Sequence, residues 1–566
     1  MKKILSFILT ITILSVFTSC EKFLEVNPQG NIDGPTLSNA EGIDLLVTSA
    51  YASLHEATWG GSPNNFLMGS IYGGDANKGS DPGDQPYMNE FENYGVLTNN
   101  IFLNEKWIFN YNGVKRVNHT INMINSIEGI DEEFANKRLG EMRFLRALFY
   151  FELRRVFKNV PFVDLETEAQ ENNPKVKNDT EILPMIKEDL ELAITLLPNV
   201  QDAVARANKW AAKSLLAKVL LFEGNFAEAI PVLKDVIDNG VNAEGVKYKL
   251  VDKYSDNFNI VTENNSETVF SIQHSVDAGD ANANPGHGAN SLYGGALNGG
   301  GYGFYQPSYS FVNSFQVDAN GLPKLDGSYM NKVIPGVDIL GATNANDADR
   351  TMPVDPRLDH SVGRRGIPYY DWGMPQSTWV RNAAYAGPFM PKKNLHRKSD
   401  SDYVVRGSAL NTDLIRFADV LLWYAEALAE TGRHTEAVQY VNLVRKRAAN
   451  DLVMFQGQPA ANYKVSEYPA SYFDTKEKAL TAIRFERKLE FGMEGIRFFD
   501  LQRWGFQIAK EEIDFYLQKE KAYLGKFATV PLFTEYKMYF AIPEAQILSM
   551  DKADDGQPYL KQNPGY

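Results

Sequence analysis

Asn411–Arg447, NTDLIRFADVLLWYAEALAETGRHTEAVQYVNLVRKR, reads as two amphipathic helices folded back on each other. Phe417, Leu421, Tyr424 and Leu428 recur on one stripe at helical spacing. Gly432 supplies a left-handed backbone that stops the first helix, and Ala437, Val441 and Val444 give the second a narrow inward face. Small side chains at Ala425 and Ala437 let the two backbones come close. This is a helical hairpin of tetratricopeptide type, and a single hairpin cannot bury its own apolar face. A second copy lies in Trp210–Asp238, where Ala217, Gly224 and Ala229 repeat the offsets of Ala425, Gly432 and Ala437. The turns FEGNFAEAI and AETGRHTEAV correspond.

Outward from these hairpins the helical pattern continues. Thr36–His55 places Ile43, Leu46, Val47, Ala50 and Leu54 on one side, and a helix from Trp107 through Ile127 turns Val114, Val117, Ile121 and Ile124 inward. GEMRFLRALFYFELRRVFKNVPFVD is apolar almost all round from Phe144 to Phe151, the mark of a central buried helix ended by Pro161. Ile186, Leu190, Ile194 and Leu197 mark another helix closed by Pro198, and ETVFSIQH, Glu267–His274, is β-prone. LTAIRFERKLEFGMEGIRFFDLQRWG predicts one more helix, with Glu486, Arg487, Glu490, Glu494, Arg497, Asp500 and Arg503 spaced for a ladder of ion pairs. Two irregular stretches interrupt the helices. Trp59–Tyr94 contains IYGGDANKGSDPGDQPY, and between Gly286 and Gly303 eight of eighteen residues are glycine, with aromatics crowded beside them. Pro, Gly and aromatic residues continue to about Tyr403. Long loops of this kind are functional or disordered, and the aromatic content favours order.

The chain has 566 residues, enough for a substantial core. A net charge of −14 argues against a nucleic-acid partner, which needs a basic footprint. The single cysteine, Cys20, rules out disulfides within the chain and thiolate metal clusters. Lys2 and Lys3 precede an apolar run, Ile4–Phe17, too short to span a bilayer and suited to a signal-peptide core. It ends in Val16-Phe17-Thr18-Ser19-Cys20, which resembles the lipobox of bacterial lipoproteins, so residues 1–19 are expected to be removed and Cys20 lipidated. The membrane is then reached through the acyl anchor alone.

Taken in order, RFLRALFYFELRRVFKNVPFV, ADVLLWYAEALAETG with its following NLVRKRA, FERKLEFGMEGIRFFDLQRWG, and the terminal AIPEAQI and QNPGY resemble the signatures of the SusD/RagB family. YGGDANKG, Tyr72–Gly79, is similar to a loop that often precedes that family's binding surface. The resemblance spans Cys20–Tyr566 and implies a mainly α fold, a superhelix of four tetratricopeptide-like hairpins with large loop-rich insertions and a few short strands. The expected layout is a single domain over 20–566, with helical scaffold at 36–266 and 404–566 and an aromatic insert at 267–403. The resemblance further implies a lipid-anchored outer-membrane protein facing the cell exterior. It captures an oligosaccharide, or a peptide, and passes it to a SusC-like TonB-dependent barrel. No enzymatic activity and no cofactor are implied.

The residues themselves leave two other classes open, a surface glycoside hydrolase and a tetratricopeptide adaptor for proteins only. No pair of histidines stands at i, i+4 for zinc, no GxSxG elbow occurs, and Gly299–Gly303 lacks the Lys-Ser/Thr of a phosphate loop. Asp75-Ala76-Asn77-Lys78-Gly79 begins like a calcium loop, but glycine falls one place early and Pro86 stands where a bidentate Glu belongs, so no metal is expected. Aromatics in irregular chain are the candidates for ligand contact: Trp59, Tyr87, Tyr293, Tyr305, Trp372 and Trp379. Asp75, Asn77, Lys78 and Arg381 lie in the same loops and are expected to meet ligand hydroxyls around the aromatic faces; for Asp75 and Asn77 loop-shaping bonds to backbone amides are the equal alternative.

Overall fold

The computed structural model describes residues 37–55, 60–61, 64–170, 175–277, 301–336, 350–393, 395–400, 403–404, 407–550 and 556–566. Cys20 with its leader, Trp59 and Tyr293 lie outside the described residues. Helices pair in chain order: α1 (Ala40–Ala52) with α2 (Ile101–Ser126), α3 (Glu132–Phe157) with α4 (Leu183–Leu196), α5 (Lys209–Glu223) with α6 (Phe226–Asn239), and α7 (Phe417–Glu430) with α8 (His434–Ala449). Each hairpin also packs on the next, through α2 on α3, α4 on α5 and α6 on α7. The last contact matters most, because it keeps the array continuous although the chain leaves it at Asn239 and returns at Phe417. No described helix is long and apolar enough to cross a membrane.

The helices form where the apolar periodicity places them. Phe417, Leu421, Tyr424 and Leu428 are all buried, as is every residue from Phe144 to Phe151. Gly224 ends α5 with φ +77°, and Gly432 turns with φ +85° between α7 and α8, so the two repeats share turn geometry as well as spacing. Three further helices, α9 (Lys476–Phe491), α10 (Arg497–Trp504) and α11 (Phe506–Glu520), close the scaffold. Strands are short and paired in twos. β1 (Ala76–Gly79) runs antiparallel to β3 (Phe304–Pro307), and β2 (Thr268–Ile272) to β4 (Thr412–Arg416).

Three features depart from the sequence reading. Asn411–Arg416 is not the start of a helix; Thr412–Arg416 is β4, and the helix begins at Phe417. The extended backbone of Arg416 (φ −109°, ψ 157°) lets its guanidinium reach Glu267, Glu490 and Glu494 while Asp419 bonds its amide. The single helix expected over LTAIRFERKLEFGMEGIRFFDLQRWG is two, α9 and α10. The break is at Gly492–Ile496, where Met493 (φ +67°) and Gly495 (φ +72°) take the left-handed region. A Cβ on Gly495 would stand 1.8 Å from the Asn64 carbonyl, so the chain turns there against a segment remote in sequence.

The third departure concerns the charges on α9 and α10. They do not form a ladder along one helix face; most pair with other elements, deep in the core. Arg357 bonds Asp355 (2.7 Å), Glu486 (2.7 Å) and Glu490 (3.0 Å). Arg416 bonds Glu267 (2.6 Å), Glu490 (3.0 Å) and Glu494 (3.0 Å), while Arg445 meets Glu486 (2.8 Å) and Lys393 meets Glu494 (2.7 Å). Arg447 joins Glu267 and Glu490. Five cations (Arg357, Lys393, Arg416, Arg445, Arg447) thus balance five carboxylates (Glu267, Asp355, Glu486, Glu490, Glu494). Buried charges persist only when matched in this way. Arg357 and Lys393 come from the long insert, so the network fastens the loop-rich layer to the helices. Beside it Arg487 bridges Asp419 and Asp500, and Arg503 bridges Asp500 and Glu426.

Candidate functional site

The two irregular stretches are hydrogen-bonded to each other. In the β1–β3 pair Ala76 faces Pro307, Asn77 faces Gln306 and Gly79 faces Phe304. This pairing puts GGDANKG under the loop layer rather than on its rim. Asp75, Asn77 and Lys78 are each fully buried. The Asn77 amide donates to the Ala386 carbonyl (3.1 Å), and its Oδ1 accepts from the Tyr516 hydroxyl (2.9 Å). Lys78 Nζ donates to the carbonyls of Asp81 (2.8 Å) and Asp84 (2.7 Å), and burial lowers its pKa to about 8. Burial raises the Asp75 carboxyl to about 7, and Glu520, which accepts from the Ser310 amide, is likewise raised to about 7. Both acids are sealed from solvent, so neither can protonate a bound substrate. Tyr305 is also interior: its hydroxyl donates to Ser70 Oγ (2.8 Å) and its ring lies edge-on to Phe66.

Arg381 lies on the surface side of the same junction. It donates from Nη1 to Asp84 Oδ2 (2.6 Å) and Ser80 Oγ (2.7 Å), and pairs through Nη2 with Asp81 (2.5 Å). The guanidinium thereby pins the Ser80–Asp84 turn to the insert. Tyr385, four residues on, donates to Asn89 Oδ1 (2.7 Å) and lies beneath the ammonium of Lys526, 4.0 Å from the ring centre. Tyr309 and Tyr523 stack on each other, with ring centres 4.4 Å apart and planes at 22°. Gly387 sits between Asn77 and Tyr309, which places these rings at one corner of the β1–β3 junction. Tyr523 is 40% exposed and Tyr87, on the helix Pro86–Glu92, 38%.

Trp372 and Trp379 belong to a small separate apolar cluster built on Tyr369, Val380, Met390 and Leu395. Both are half-buried; the Trp372 indole donates to the His396 carbonyl (3.2 Å), and Trp379 packs edge-on to Tyr369. Of the expected contact residues the structure therefore brings Arg381, Tyr87, Trp372 and Trp379 to partly exposed positions, and sends Asp75, Asn77, Lys78 and Tyr305 inward. Tyr309, Tyr385 and Tyr523 were not among the candidates. Tyr523 follows α11 in ordinary-looking sequence, and only the fold sets it against Tyr309.

The chain matches the SusD family model over residues 266–566. The chain belongs to the SusD family. A second model, described as starch-binding and associating with the outer membrane, matches residues 22–221. A SusD-like protein of Bacteroides ovatus is 24% identical over 97% of this chain and 94% of its own length. Among solved structures, a SusD superfamily protein of Bacteroides vulgatus superposes with a TM-score of 0.68 at 21% identity, covering 94% of this chain and all of that one. The surface glycan-binding protein A of Bacteroides thetaiotaomicron, solved with laminarihexaose, superposes at 0.63 with 19% identity, covering 92% of this chain and 99% of that one. At such identities these likenesses establish the SusD fold of helical hairpins and leave the ligand to the residues themselves.

Proposed function

We propose that this SusD-family protein is a cell-surface oligosaccharide-binding lipoprotein, anchored to the outer membrane through Cys20, that hands its ligand to a TonB-dependent barrel. It binds without catalysis. The observation that carries this reading is the corner where the stacked Tyr309–Tyr523 pair and Tyr385 adjoin the Arg381–Asp81–Asp84 cluster. A sugar ring has an apolar C–H face that covers an aromatic plane, while its hydroxyls need charged and polar partners around it. Both kinds of surface are present side by side. Trp372 and Trp379, in their separate cluster on the insert, offer further partly exposed aromatic surface, and the glycan complex of a relative with this fold supports the ligand class.

Titration of the mature chain with laminarihexaose and other oligosaccharides by calorimetry tests the reading. An aromatic contact contributes about 0.5–1.5 kcal/mol beyond area burial, and about 1.4 kcal/mol is tenfold in affinity. Tyr523→Ala is thus expected to weaken binding about three- to tenfold with little change in melting temperature, since the ring is a surface platform. Unchanged affinity in Tyr523→Ala, or sugar cleavage products in the same incubations, counts against it. Gentle detergent extraction followed by mass spectrometry should recover the protein with a much larger barrel partner; recovery as a lone monomer refutes the delivery step.

A further inference from the structure

A surface cleft of about 240 Å³ opens between α2, the segment after α3 and the C-terminal helix Glu544–Ser549, and it shares no residue with the aromatic corner. Its walls are fastened to one another. The Tyr111 hydroxyl donates to the Pro161 carbonyl (2.7 Å), which holds the segment after α3 against α2. Gln546 Nε2 donates to Asn104 Oδ1 (2.9 Å), which holds the C-terminal helix against the same α2. The cleft is therefore built into the fold. Its volume falls below the roughly 300–1,000 Å³ of sites for drug-sized ligands and suits a single ring.

Trp107, Tyr111, Val163 and Met550 supply an apolar lining. Trp107 is only 4% exposed; its ring packs on Tyr111, with centres 4.9 Å apart, and edge-on to Phe157. Its indole N–H nevertheless has no acceptor among the described residues and is not sealed off by them. A buried tryptophan N–H ordinarily finds a partner. Four polar side chains also line the cleft. Asn112 is exposed, and its amide makes no hydrogen bond among the described residues. Gln546 has committed its NH2 group to Asn104, which leaves Oε1 as an acceptor. Lys115 acts on the half-buried Glu168 carboxyl without a direct ion pair, and the Asn118 amide lies close to the same carboxyl.

Open donors (Trp107 Nε1, Asn112, Lys115) thus stand with open acceptors (Asn112, Gln546, Glu168) over the apolar lining. A hydrocarbon would strip water from all of these groups and replace none of it. An anion would meet Glu168, and a cation would meet Lys115. A neutral ring whose hydroxyls both donate and accept, with C–H faces between them, matches every group at once. We infer that this cleft is a second carbohydrate site, which takes one neutral pyranose ring and meets it with the Trp107 indole N–H. The inference rests on the proposed function for its ligand class alone. A long glycan then has a second point of attachment on the same protein.

The test uses mature protein isotope-labelled at its tryptophan indole nitrogens, with the Trp107 resonance identified by its loss in Trp107→Phe. On titration with glucose or laminarihexaose that resonance should shift saturably, in wild type and in Tyr523→Ala alike. The midpoint should be about 1–10 mM, the hold a single ring can supply. Asn112→Ala combined with Glu168→Gln should raise it about threefold or more. No Trp107 shift up to about 50 mM sugar, well above such a midpoint, overturns the inference. A shift abolished by Tyr523→Ala overturns it as well, because Trp107 then only reports occupancy of the corner. So does a shift with free leucine and none with glucose, which means a zwitterion bridging Lys115 and Glu168. A silent Trp107 beside calorimetric binding of laminarihexaose sinks the second site alone; if calorimetry also finds no sugar bound, the oligosaccharide reading falls with it. If Trp107→Phe does not fold, crystals soaked in glucose decide: a ring within hydrogen-bonding distance of Trp107 Nε1 supports the site, and water alone overturns it.

Discussion

Replacing Glu490 by glutamine removes one charge from the centre of the ion network and almost no volume. Glu490 Oε1 accepts from Arg416 (3.0 Å) and Arg447, and Oε2 accepts from Arg357 (3.0 Å). A glutamine can keep its oxygen toward Arg416 and Arg447. Its NH2 then faces the Arg357 guanidinium, donor against donor, and five buried cations are left with four carboxylates. Breaking a buried pair costs about 3–5 kcal/mol; because two of three bonds survive, we expect the lower end, about 3 kcal/mol. Urea unfolding at pH 7 should show a midpoint lowered by about 0.5–1 M at an unchanged slope. The pH dependence gives a second reading. Burial alone pushes the Glu490 pKa up, but Arg447, Arg416 and Arg357 outweigh it and hold the carboxyl well below the usual range. A depressed folded pKa contributes stability that is complete above the unfolded value and lost as pH falls through the folded one. The gap between wild type and Glu490→Gln should therefore narrow as pH drops below about 4.5. A variant within about 1 kcal/mol of wild type at pH 7 would refute the argument, as would a gap that stays constant in acid.

Glu520 makes the opposite case: burial raises its carboxyl to about 7, so the folded state holds a proton that the unfolded chain has released. That lowers stability with rising pH by up to about 1.4 kcal/mol per unit between about pH 4.5 and 7, and Glu520→Gln should flatten the slope in that window, read from denaturation midpoints at pH 5 and 8. A Cβ at Gly69 would stand 1.7 Å from the Gly495 carbonyl, whereas one at Gly224 meets nothing within 4 Å. Gly69→Ala should thus yield little folded protein by circular dichroism, and Gly224→Ala, strained only in φ, should lose about 1 kcal/mol. Cys20→Ser should stay folded and leave the membrane fraction in cells lacking the barrel partner, since the acyl chain supplies the membrane affinity.

The hairpins were legible because a helix that packs on one side writes its period into the sequence, and Ala425, Gly432 and Ala437 repeat what Ala217, Gly224 and Ala229 do. The break at Gly492–Ile496 was not. GMEG sits within a run whose apolar spacing continues through it, and the contacts that enforce the turn come from Asn64 and Gly69, far away in the chain. The charges of α9 have the spacing of a surface ladder, and spacing cannot say that Arg357, Arg416, Arg445 and Arg447 will arrive from elsewhere to surround them. The loop around Asp75 has the composition of an exposed turn, and what buries it is strand β3, more than two hundred residues later. Tyr309 and Tyr523 carry no local signal of partnership; their stacking exists only once α11 lies beside the insert.

The chain leaves the array at α6 and re-enters at α7, and β2 and β4 lie hydrogen-bonded at the two gates. Departure and return are therefore neighbours, which makes the segment between them a cassette. Lengthening a closed loop costs little, about 0.6 kcal/mol for each doubling. Descendants of such a scaffold can exchange, shorten or enlarge the loops of the insert while the eight paired helices stay as they are. Positions of the ion network inside the cassette are not free to change: Arg357 and Lys393 must still deliver their charges to Glu490 and Glu494, and Glu267 and Asp355 must still meet Arg416, Arg447 and Arg357. A graft of foreign loops that preserves those four side chains, strand β3 and the β2–β4 clasp should inherit the scaffold and bring its own specificity.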